Sequence, residues 1–214
     1  MSFPTTAVLS TFTGTDEDPI SEGGNWTTPV VGLNGLNGAL ARTSNKCGGR
    51  AGNAFWDVVT FPRADGVEVF VTIPTLPGNG LGASFVYWLD AITSTANGYS
   101  VDWRLTGGTP TMRVIKYTGG SGGTIDTFTQ SFSAGDKIGM EITSTHVRSY
   151  VFTSAAWSLV GTPTADTTFS GSGYIGLGQS DGSAFLDDFG GGTTVAAAEK
   201  QTYYVRRPVM VGRR

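Results

Sequence analysis

The sequence of 214 residues contains one cysteine, one histidine and few charges. Because Cys47 has no second cysteine, one chain can form neither an intramolecular disulfide nor a thiolate metal cluster, and we expect a free thiol that is either buried or unreactive. No apolar stretch approaches the length of a membrane span, and the N-terminus lacks the basic and apolar regions of a signal peptide. These absences predict a protein that folds in a reducing cytoplasm and has no membrane partner.

The scarcity of histidine also restricts catalysis. A serine triad would need His146, which falls in a predicted strand turn, and no nucleophile elbow is present. Asp187 and Asp188 are neighbours in a predicted strand, so their carboxylates point to opposite faces and cannot easily converge on one substrate atom. We therefore predict no catalytic residues and no enzymatic activity.

The acidic loop near the N-terminus contains the residues that could bind a metal. Asp16, Glu17 and Asp18 carry the carboxylate oxygens that calcium prefers. They lack, however, the alternating spacing and the fixed glycine of a calcium loop, so a solvated acidic loop is the favoured interpretation. No cofactor is predicted, and Asp16 and Asp18 are the weak candidates for a Ca²⁺ site.

The sequence is instead rich in glycine, with 32 residues, and in short apolar segments, while charged residues make up only 14% of the chain. No segment keeps a helical period, and this composition favours many short strands joined by tight turns. The spacing predicts an all-β fold of two stacked antiparallel sheets. The predicted strands cover 7–12, 39–43, 67–73, 84–89, 99–105, 111–117, 124–132, 137–143, 147–152, 174–177 and 184–189.

Several of these strands have a clear pattern of faces. Val67, Val69, Val71 and Ile73 share one face, as do Tyr99, Val101, Trp103 and Leu105, whereas Ser100, Asp102 and Arg104 point outward. Residues 84–89 are apolar on both faces, which predicts a central strand. The last two strands flank an Asp-Gly turn at 181–182, so we expect them to form a β-hairpin.

Charge divides the chain into a body and a tail. Residues 1–198 hold nine basic and sixteen acidic residues, a balance of −7, whereas the remaining sixteen residues hold five basic residues and one acidic residue, a balance of +4. We predict a sandwich over 1–189, a Gly/Thr/Ala linker over 190–198 and a basic arm over 199–214.

The arm alternates apolar and polar residues well enough to add as a strand to another chain. The acidic body disfavours nucleic acid as a partner. The predicted partner-binding residues of the arm are Tyr203, Tyr204, Arg206, Arg207, Arg213 and Arg214.

The order of these features resembles the concanavalin A-like lectin/glucanase jelly roll, in its laminin-G-like branch found in phage and bacterial multidomain proteins. The resemblance covers roughly residues 7–189. It implies that the last strand, at 185–189, pairs with the first, at 7–12. Hydrolases with similar jelly rolls use a Glu-x-Asp-x-x-Glu strand, which is absent here. The matching elements are Phe12 and the loop 16–20 before Asn25-Trp26, then 67–71, 97–99, 137–142, 147–151, 173–178 and 185–189.

Two functions follow as hypotheses. The first is a non-enzymatic structural protein of a virion, such as a capsid decoration, head-fibre or tail-associated protein. It would be a homo-oligomer anchored by its arm to other virion proteins or to copies of itself. The alternative is a carbohydrate-binding module that attaches to host surface glycans. A sugar site needs an aromatic platform beside polar groups, which Trp56 with Asp57, or Trp88 with Asp90, would supply.

Overall fold

A computed structural model describes residues 3–28, 33, 36–78 and 82–194. Strands dominate this part of the chain, with a short 3₁₀ helix at Arg63–Asp65, and no described helix is long and apolar enough to cross a membrane. The strands are β1 (Val8–Ser10), β2 (Trp26–Thr27), β3 (Ala41–Thr43), β4 (Lys46–Gly48), β5 (Gly52–Trp56), β6 (Phe61–Pro62), β7 (Val67–Thr75), β8 (Ala83–Leu89), β9 (Gly98–Thr106), β10 (Thr109–Thr118), β11 (Ser121–Thr129), β12 (Lys137–Ile142), β13 (His146–Thr153), β14 (Ala156–Ala165), β15 (Ser172–Gln179) and β16 (Phe185–Thr193).

The strands form two sheets. Sheet A has the order β14-β13-β12-β7-β16-β4-β3, with β1 also paired to β16. Sheet B has the order β11-β10-β9-β8-β15-β5-β2, with β6 also paired to β15. Every pairing between these strands is antiparallel, so the predicted two-sheet antiparallel sandwich is confirmed.

The hairpin predicted at the Asp-Gly turn is wrong. β15 belongs to sheet B and β16 to sheet A, so residues 180–184 carry the chain from one sheet to the other. Asp181 fixes this crossing, because its Oδ1 accepts hydrogen bonds from the backbone N–H and the hydroxyl of Ser183 and its Oδ2 accepts one from the N–H of Gly78. The chain does turn at Gly182–Ser183, but β15 and β16 pair with strands that are distant in sequence and not with each other.

The last strand lies inside sheet A. It has β7 on one side, and β4 and β1 on the other, with Val8 opposite Gly190 and Ser10 opposite Phe189. The predicted pairing of the first and last strands is therefore confirmed. The strand continues to Thr193, so residues 190–193 of the predicted linker belong to the sheet. The predicted arm, 199–214, lies outside the described residues.

The core lies between the two sheets and contains the predicted apolar faces. All four residues of the β7 face are buried there, together with Tyr99, Val101 and Trp103 of β9, while Leu105 packs at its margin. Cys47 is buried and free, as predicted, and burial raises the pKa of its thiol far above the usual range. The central position predicted for residues 84–89 is also confirmed, since β8 lies between β9 and β15.

A buried arginine ties the loops together at one end of the sandwich. Arg63 is almost fully buried, and its Nε donates to the carbonyl of Thr143 at 2.7 Å. Its other nitrogens donate to the Tyr99 hydroxyl at 3.2 Å and to the carbonyls of Phe169 and Asp166. The guanidinium also lies 4.9 Å from the centre of the Tyr99 ring. Three segments that are distant in sequence, at residues 99, 143 and 166–169, are therefore held by one side chain.

The carboxylate of Asp166 belongs to the same end of the molecule. It accepts hydrogen bonds from the Tyr99 hydroxyl at 2.6 Å, the backbone N–H of Thr168 at 2.7 Å and the Lys116 ammonium at 3.0 Å. Partial burial alone would raise the pKa of this carboxyl, but these hydrogen bonds outweigh it and hold the pKa well below the usual range.

The outer face of sheet A is covered by the N-terminal segment. Glu68 is buried, and one of its carboxylate oxygens accepts the backbone N–H groups and hydroxyls of both Thr5 and Thr6. Phe3 stacks on Tyr150 at 4.0 Å between ring centres and meets the edge of Trp157 at 4.8 Å. This strap occupies the middle of the face, over Glu68 and Phe70 of β7.

Candidate functional site

The outer face of sheet B is divided into a covered half and an open half. A second apolar cluster, separate from the core, covers the half formed by β5, β8 and β15, where Phe55, Phe85, Tyr87 and Leu89 pack with Leu33. The open half consists of the outward positions of β9, β10 and β11. Apart from Ile115 and Tyr117, which are buried in the apolar cluster, the side chains at these positions are polar, among them Arg104, Thr111, Arg113, Thr124 and Thr127.

Two arginines and one aspartate form the centre of the open half. Asp102 lies directly opposite Arg113 on the neighbouring strand, and Arg104 lies two residues further along the strand of Asp102. Arg113 donates from Nε at 3.0 Å and from a second nitrogen, so it holds both oxygens of the Asp102 carboxylate. Arg104 donates to the same carboxylate at 3.3 Å. The carboxylate is fully buried, whereas the side chains of Arg104 and Arg113 are 32% and 20% exposed.

The hydrogen bonds of this cluster leave donors free. The Nε of Arg104 is buried and has no hydrogen-bond partner. Among the described residues, Asp102 is the sole carboxylate in ion-pair contact with either guanidinium. The two guanidinium groups and one carboxylate therefore leave one positive charge without its own counterion. Because both arginines are held by a buried carboxylate on adjacent strands, their donors are fixed before any ligand arrives.

A line of hydroxyls connects the cluster to the covered half. Ser100 and Tyr117 lie 3.2 Å apart through their hydroxyl oxygens, and Tyr87 packs against Tyr117 with ring centres 6.0 Å apart. Burial raises the pKa of Tyr117 to about 12 and raises that of Tyr87 well above its usual value, so both are neutral phenols. The side-chain amide of Asn53 is fully buried without a hydrogen-bond partner.

A glycine separates Asn53 from Tyr87. A Cβ at Gly178 would lie 2.5 Å from the Asn53 Oδ1 and 2.8 Å from the Tyr87 hydroxyl. Both polar groups therefore converge on the same backbone position, and only glycine leaves them room. The polar groups of the covered half are therefore the Asn53 amide and the Tyr87 hydroxyl. Tyr87 packs on Tyr117, and the Tyr117 hydroxyl in turn contacts Ser100 of the open half.

The tryptophans predicted as glycan platforms are buried instead. Trp88 has no exposed surface, and its Nε1 donates to the carbonyl of Phe61 at 3.1 Å. Trp56 is buried against Trp26, with ring centres 5.4 Å apart. Both rings are part of the core because they lie on the inner positions of their strands. Neither can offer an open face to a sugar, and this corrects the platform hypothesis.

The two aspartates predicted beside those platforms have structural partners, Asp57 across the β2–β5 pair and Asp90 within the turn before β9. Asp57 accepts a hydrogen bond from the hydroxyl of Thr27 at 2.8 Å. Asp90 accepts one from the backbone N–H of Asn97 at 2.8 Å and one from its side-chain amide at 2.9 Å. These contacts give Asp57 and Asp90 local structural partners, and both remain exposed.

The acidic loop is held by arginines. Arg42 is buried and forms ion pairs with Glu17 at 3.0 Å and Glu22 at 3.2 Å. Asp18 pairs with Arg50, and the Oδ1 of Asp16 accepts the N–H of Ser44. Among the described residues, no three carboxylate, histidine or cysteine side chains lie close enough together to hold a metal ion.

The residues considered for catalysis are also engaged elsewhere. Asp188 lies at a bulge of β16 and is paired with Lys137 at 3.3 Å, while Asp187 accepts the N–H of Asp188 at 2.8 Å. Burial, followed by the charge of Asp188, raises the pKa of Asp187. His146 opens β13, and its Nδ1 lies 2.8 Å from the hydroxyl of Thr145. The Thr145 hydroxyl is exposed, and among the described residues no carboxylate contacts the His146 ring, so this hydroxyl–histidine contact lacks the third member of a triad.

A polar cleft opens at the end of the sandwich. It has a volume of about 320 Å³ and lies where the loop after β11 meets the turn between β13 and β14. Phe132 lines it and packs on Trp103, with ring centres 5.1 Å apart. Its carboxylate, Asp136, already accepts the backbone N–H of Ser133 at 2.7 Å. The other lining residues are Gln130, Ser131, Thr153 and Ser154.

Sequence reasoning found only part of this face. The alternation of β9 correctly placed Asp102 and Arg104 on its outer side, but nothing in the sequence indicated that Arg113 stands opposite Asp102. Two opposite charges two residues apart, Asp102 and Arg104, on the outward side of one strand in a chain with only 14% charged residues, are the sequence signal that could have pointed to a site. The predicted arm residues, from Tyr203 to Arg214, lie outside the described residues, so the structure says nothing of them.

No family model matches the sequence, and no curated protein matches it. Solved structures do match the fold. The carbohydrate recognition domain of Emp46p, in a potassium-bound form, superposes with a TM-score of 0.59 at 11% identity, covering 90% of this chain and 98% of the other. The CBM2 module of the evolved Dit protein of Lactobacillus casei BL23 phage J-1 gives a TM-score of 0.54 at 8% identity, covering 85% and 96%.

An enzyme appears among the matches through only part of its length. Bacteroides ovatus GH43B gives a TM-score of 0.51 at 13% identity, covering 89% of this chain but 38% of that protein. At these identities the comparisons show the fold. This chain therefore has the concanavalin A-like jelly-roll fold that its sequence pattern resembles.

Proposed function

We propose that this protein is a non-enzymatic carbohydrate-binding protein whose ligand lies on the open half of the outer face of sheet B. The observation that carries the proposal is the prearranged set of Asp102, Arg104 and Arg113 beside exposed threonine hydroxyls. A sugar ring presents neighbouring hydroxyls that both donate and accept hydrogen bonds, and planar charged groups held on a rigid sheet can meet two of them at once. The fold likeness to carbohydrate-recognition domains supports the same assignment.

A glycan array with the full chain, followed by calorimetry on the glycans retained, tests the proposal. The matched pair of variants is Arg104→Gln on sheet B and Arg148→Gln on sheet A. Both arginines contact one acidic residue, Asp102 or Glu141, and both are about one-third exposed. We expect Arg104→Gln to weaken binding at least about tenfold, equal to about 1.4 kcal/mol, and Arg148→Gln to change it less than about twofold.

The cleft at the end of the sandwich provides the competing location. Phe132→Ala removes its aromatic wall without touching the open half of sheet B. Loss of glycan binding in this variant, with Arg104→Gln unaffected, would move the site to the cleft. If the array retains no glycan at all, the carbohydrate-binding proposal is wrong.

A role in a virion is the second candidate, and the likeness to the phage J-1 module favours it. In this proposal the protein is folded in the host cytoplasm and assembled on the particle, with glycan binding serving attachment to the host. The basic arm would hold it to neighbouring subunits. Sedimentation of the full chain tests the arm: we expect a homo-oligomer that dissociates when Arg206 and Arg207 are both changed to alanine. An unchanged mass would remove the arm from the proposal.

A further inference from the structure

The charge on the open half of sheet B restricts which sugar it can take. Two guanidinium groups share the single buried carboxylate of Asp102, so one positive charge remains without its own counterion. Among the described residues, no other acid forms an ion pair with Arg104 or Arg113. Thr111 and Ala83 flank Arg104 on the neighbouring strands, and Thr127 lies opposite Arg113. The charged acid nearest in sequence, Asp126, points to the other side of β11, where it accepts a hydrogen bond from Thr164.

The remaining donors have a definite geometry. Arg113 uses Nε and one terminal nitrogen on Asp102 and directs the other towards Thr124 at 3.4 Å. Arg104 uses only one nitrogen on Asp102, and its Nε is buried with no partner. A buried guanidinium N–H without an acceptor is costly, because it has lost its water without gaining a hydrogen bond. This Nε is closed to a ligand, so an incoming planar acceptor with two oxygens would meet Arg104 at its terminal nitrogens, on the exposed part of the side chain.

We infer that the open half of sheet B selects a sugar that carries a carboxylate, such as a hexuronate or a sialate residue, and that Arg104 is the residue that binds this carboxylate. The inference rests on the proposed carbohydrate-binding function and adds the class of ligand to it. One carboxylate supplies the missing negative charge. Its two oxygens match the planar guanidinium, while the ring hydroxyls would lie over Thr111, which stands directly opposite Arg104. The body of the protein is acidic overall, so the local positive charge marks this face as the place for an anionic group.

Matched pairs of glycans give the test. The full chain is titrated with oligogalacturonate and with its methyl ester, and with sialylated oligosaccharides and their desialylated forms. Within at least one pair we expect the acid to bind at least about tenfold more tightly than its neutral partner. We expect this preference to fall as NaCl is raised from 50 to 500 mM, because screening weakens exposed charge pairs. Arg104→Gln should abolish the preference, and Arg148→Gln should leave it intact.

The outcomes separate the inference from the function on which it rests. If neutral and acidic partners bind equally in every pair, and binding still depends on Arg104, the carbohydrate-binding function stands and the selectivity for a carboxylate is wrong. If sulfated glycans bind and carboxylated ones do not, a tetrahedral anion is the ligand and the inference is likewise overturned. If no glycan of either kind binds, the proposed function fails as well. Thermal unfolding of each variant confirms that it is folded, so lost binding is not lost structure.

Discussion

Replacing Arg63 by methionine should produce the largest loss of stability of any single change considered for this protein. The variant keeps most of the apolar stem but removes the guanidinium that serves Thr143, Phe169 and Asp166. A hydrogen bond from a charged donor contributes about 1.5–3 kcal/mol, and a carbonyl left buried without a partner costs about 1–3 kcal/mol. Three carbonyls lose their donor at once.

Water beside Arg63 makes the expected loss of stability smaller than the sum of these separate costs. A small cavity of about 90 Å³ lies beside Arg63 and Phe169 and is open to solvent, so water can replace part of the lost hydrogen bonds. We therefore expect the free energy of unfolding to fall by about 3–4 kcal/mol, towards the lower end of the separate costs. Arg63→Lys keeps the charge but can donate from only one nitrogen. Its free energy of unfolding should therefore lie between those of Arg63→Met and the wild type.

Urea unfolding followed by the fluorescence of the five tryptophans measures the effect. The midpoint should fall while the slope with denaturant stays constant, because the surface exposed on unfolding is unchanged. Arg148→Met is the control, since its partly exposed pair with Glu141 should contribute less than about 1 kcal/mol. A loss below about 1 kcal/mol in Arg63→Met would refute the reasoning. It would mean that the loop carbonyls are already solvated and that Arg63 does not hold them.

Three further results are expected. Gly178→Ala should destabilise the fold by about 1–3 kcal/mol, because its methyl group overlaps Asn53, whereas Gly123→Ala, with open space around it, should cost less than about 1 kcal/mol in the same urea assay. Folding lowers the pKa of Asp166, so its carboxylate stabilises the fold at pH values above its unfolded pKa of about 3.9, and this contribution is lost as the pH falls further. Asp166→Asn should therefore flatten the acid limb of a plot of melting temperature against pH. An unchanged limb would contradict the argument. Cys47 should resist alkylation by iodoacetamide in the folded protein and react only in urea, and mass spectrometry would expose the error if the native protein were labelled.

The sequence predicts those parts of the fold in which local pattern and burial agree. β7 and β9 alternate cleanly, and both were assigned the correct inner face. β5 was missed because glycine-rich segments precede it, and β14 because Gly161 and Pro163 interrupt its pattern. Such residues weaken a strand signal, but pairing with long neighbouring strands overrides it.

The site was harder to predict than the strands, because it depends on register. Asp102 and Arg113 face each other only because β9 and β10 pair with that alignment, and no local pattern fixes it. The tryptophan hypothesis was wrong for a related reason. The strand of Trp88 is apolar on both faces, so its sequence could not show that Trp88 points into the core.

The position of the last strand has a consequence for synthesis on the ribosome. Val8 finds its partner only when Gly190 has been made, 182 residues later. At about 5–20 residues per second this takes about 9–36 s, during which sheet A lacks the strand that joins β7 to β4 and β1. The nascent chain therefore holds unpaired strand edges and uncovered core residues until Gly190 has been made. Because such edges favour aggregation, the time needed to synthesise residues 8–190 sets how long each chain is exposed to it.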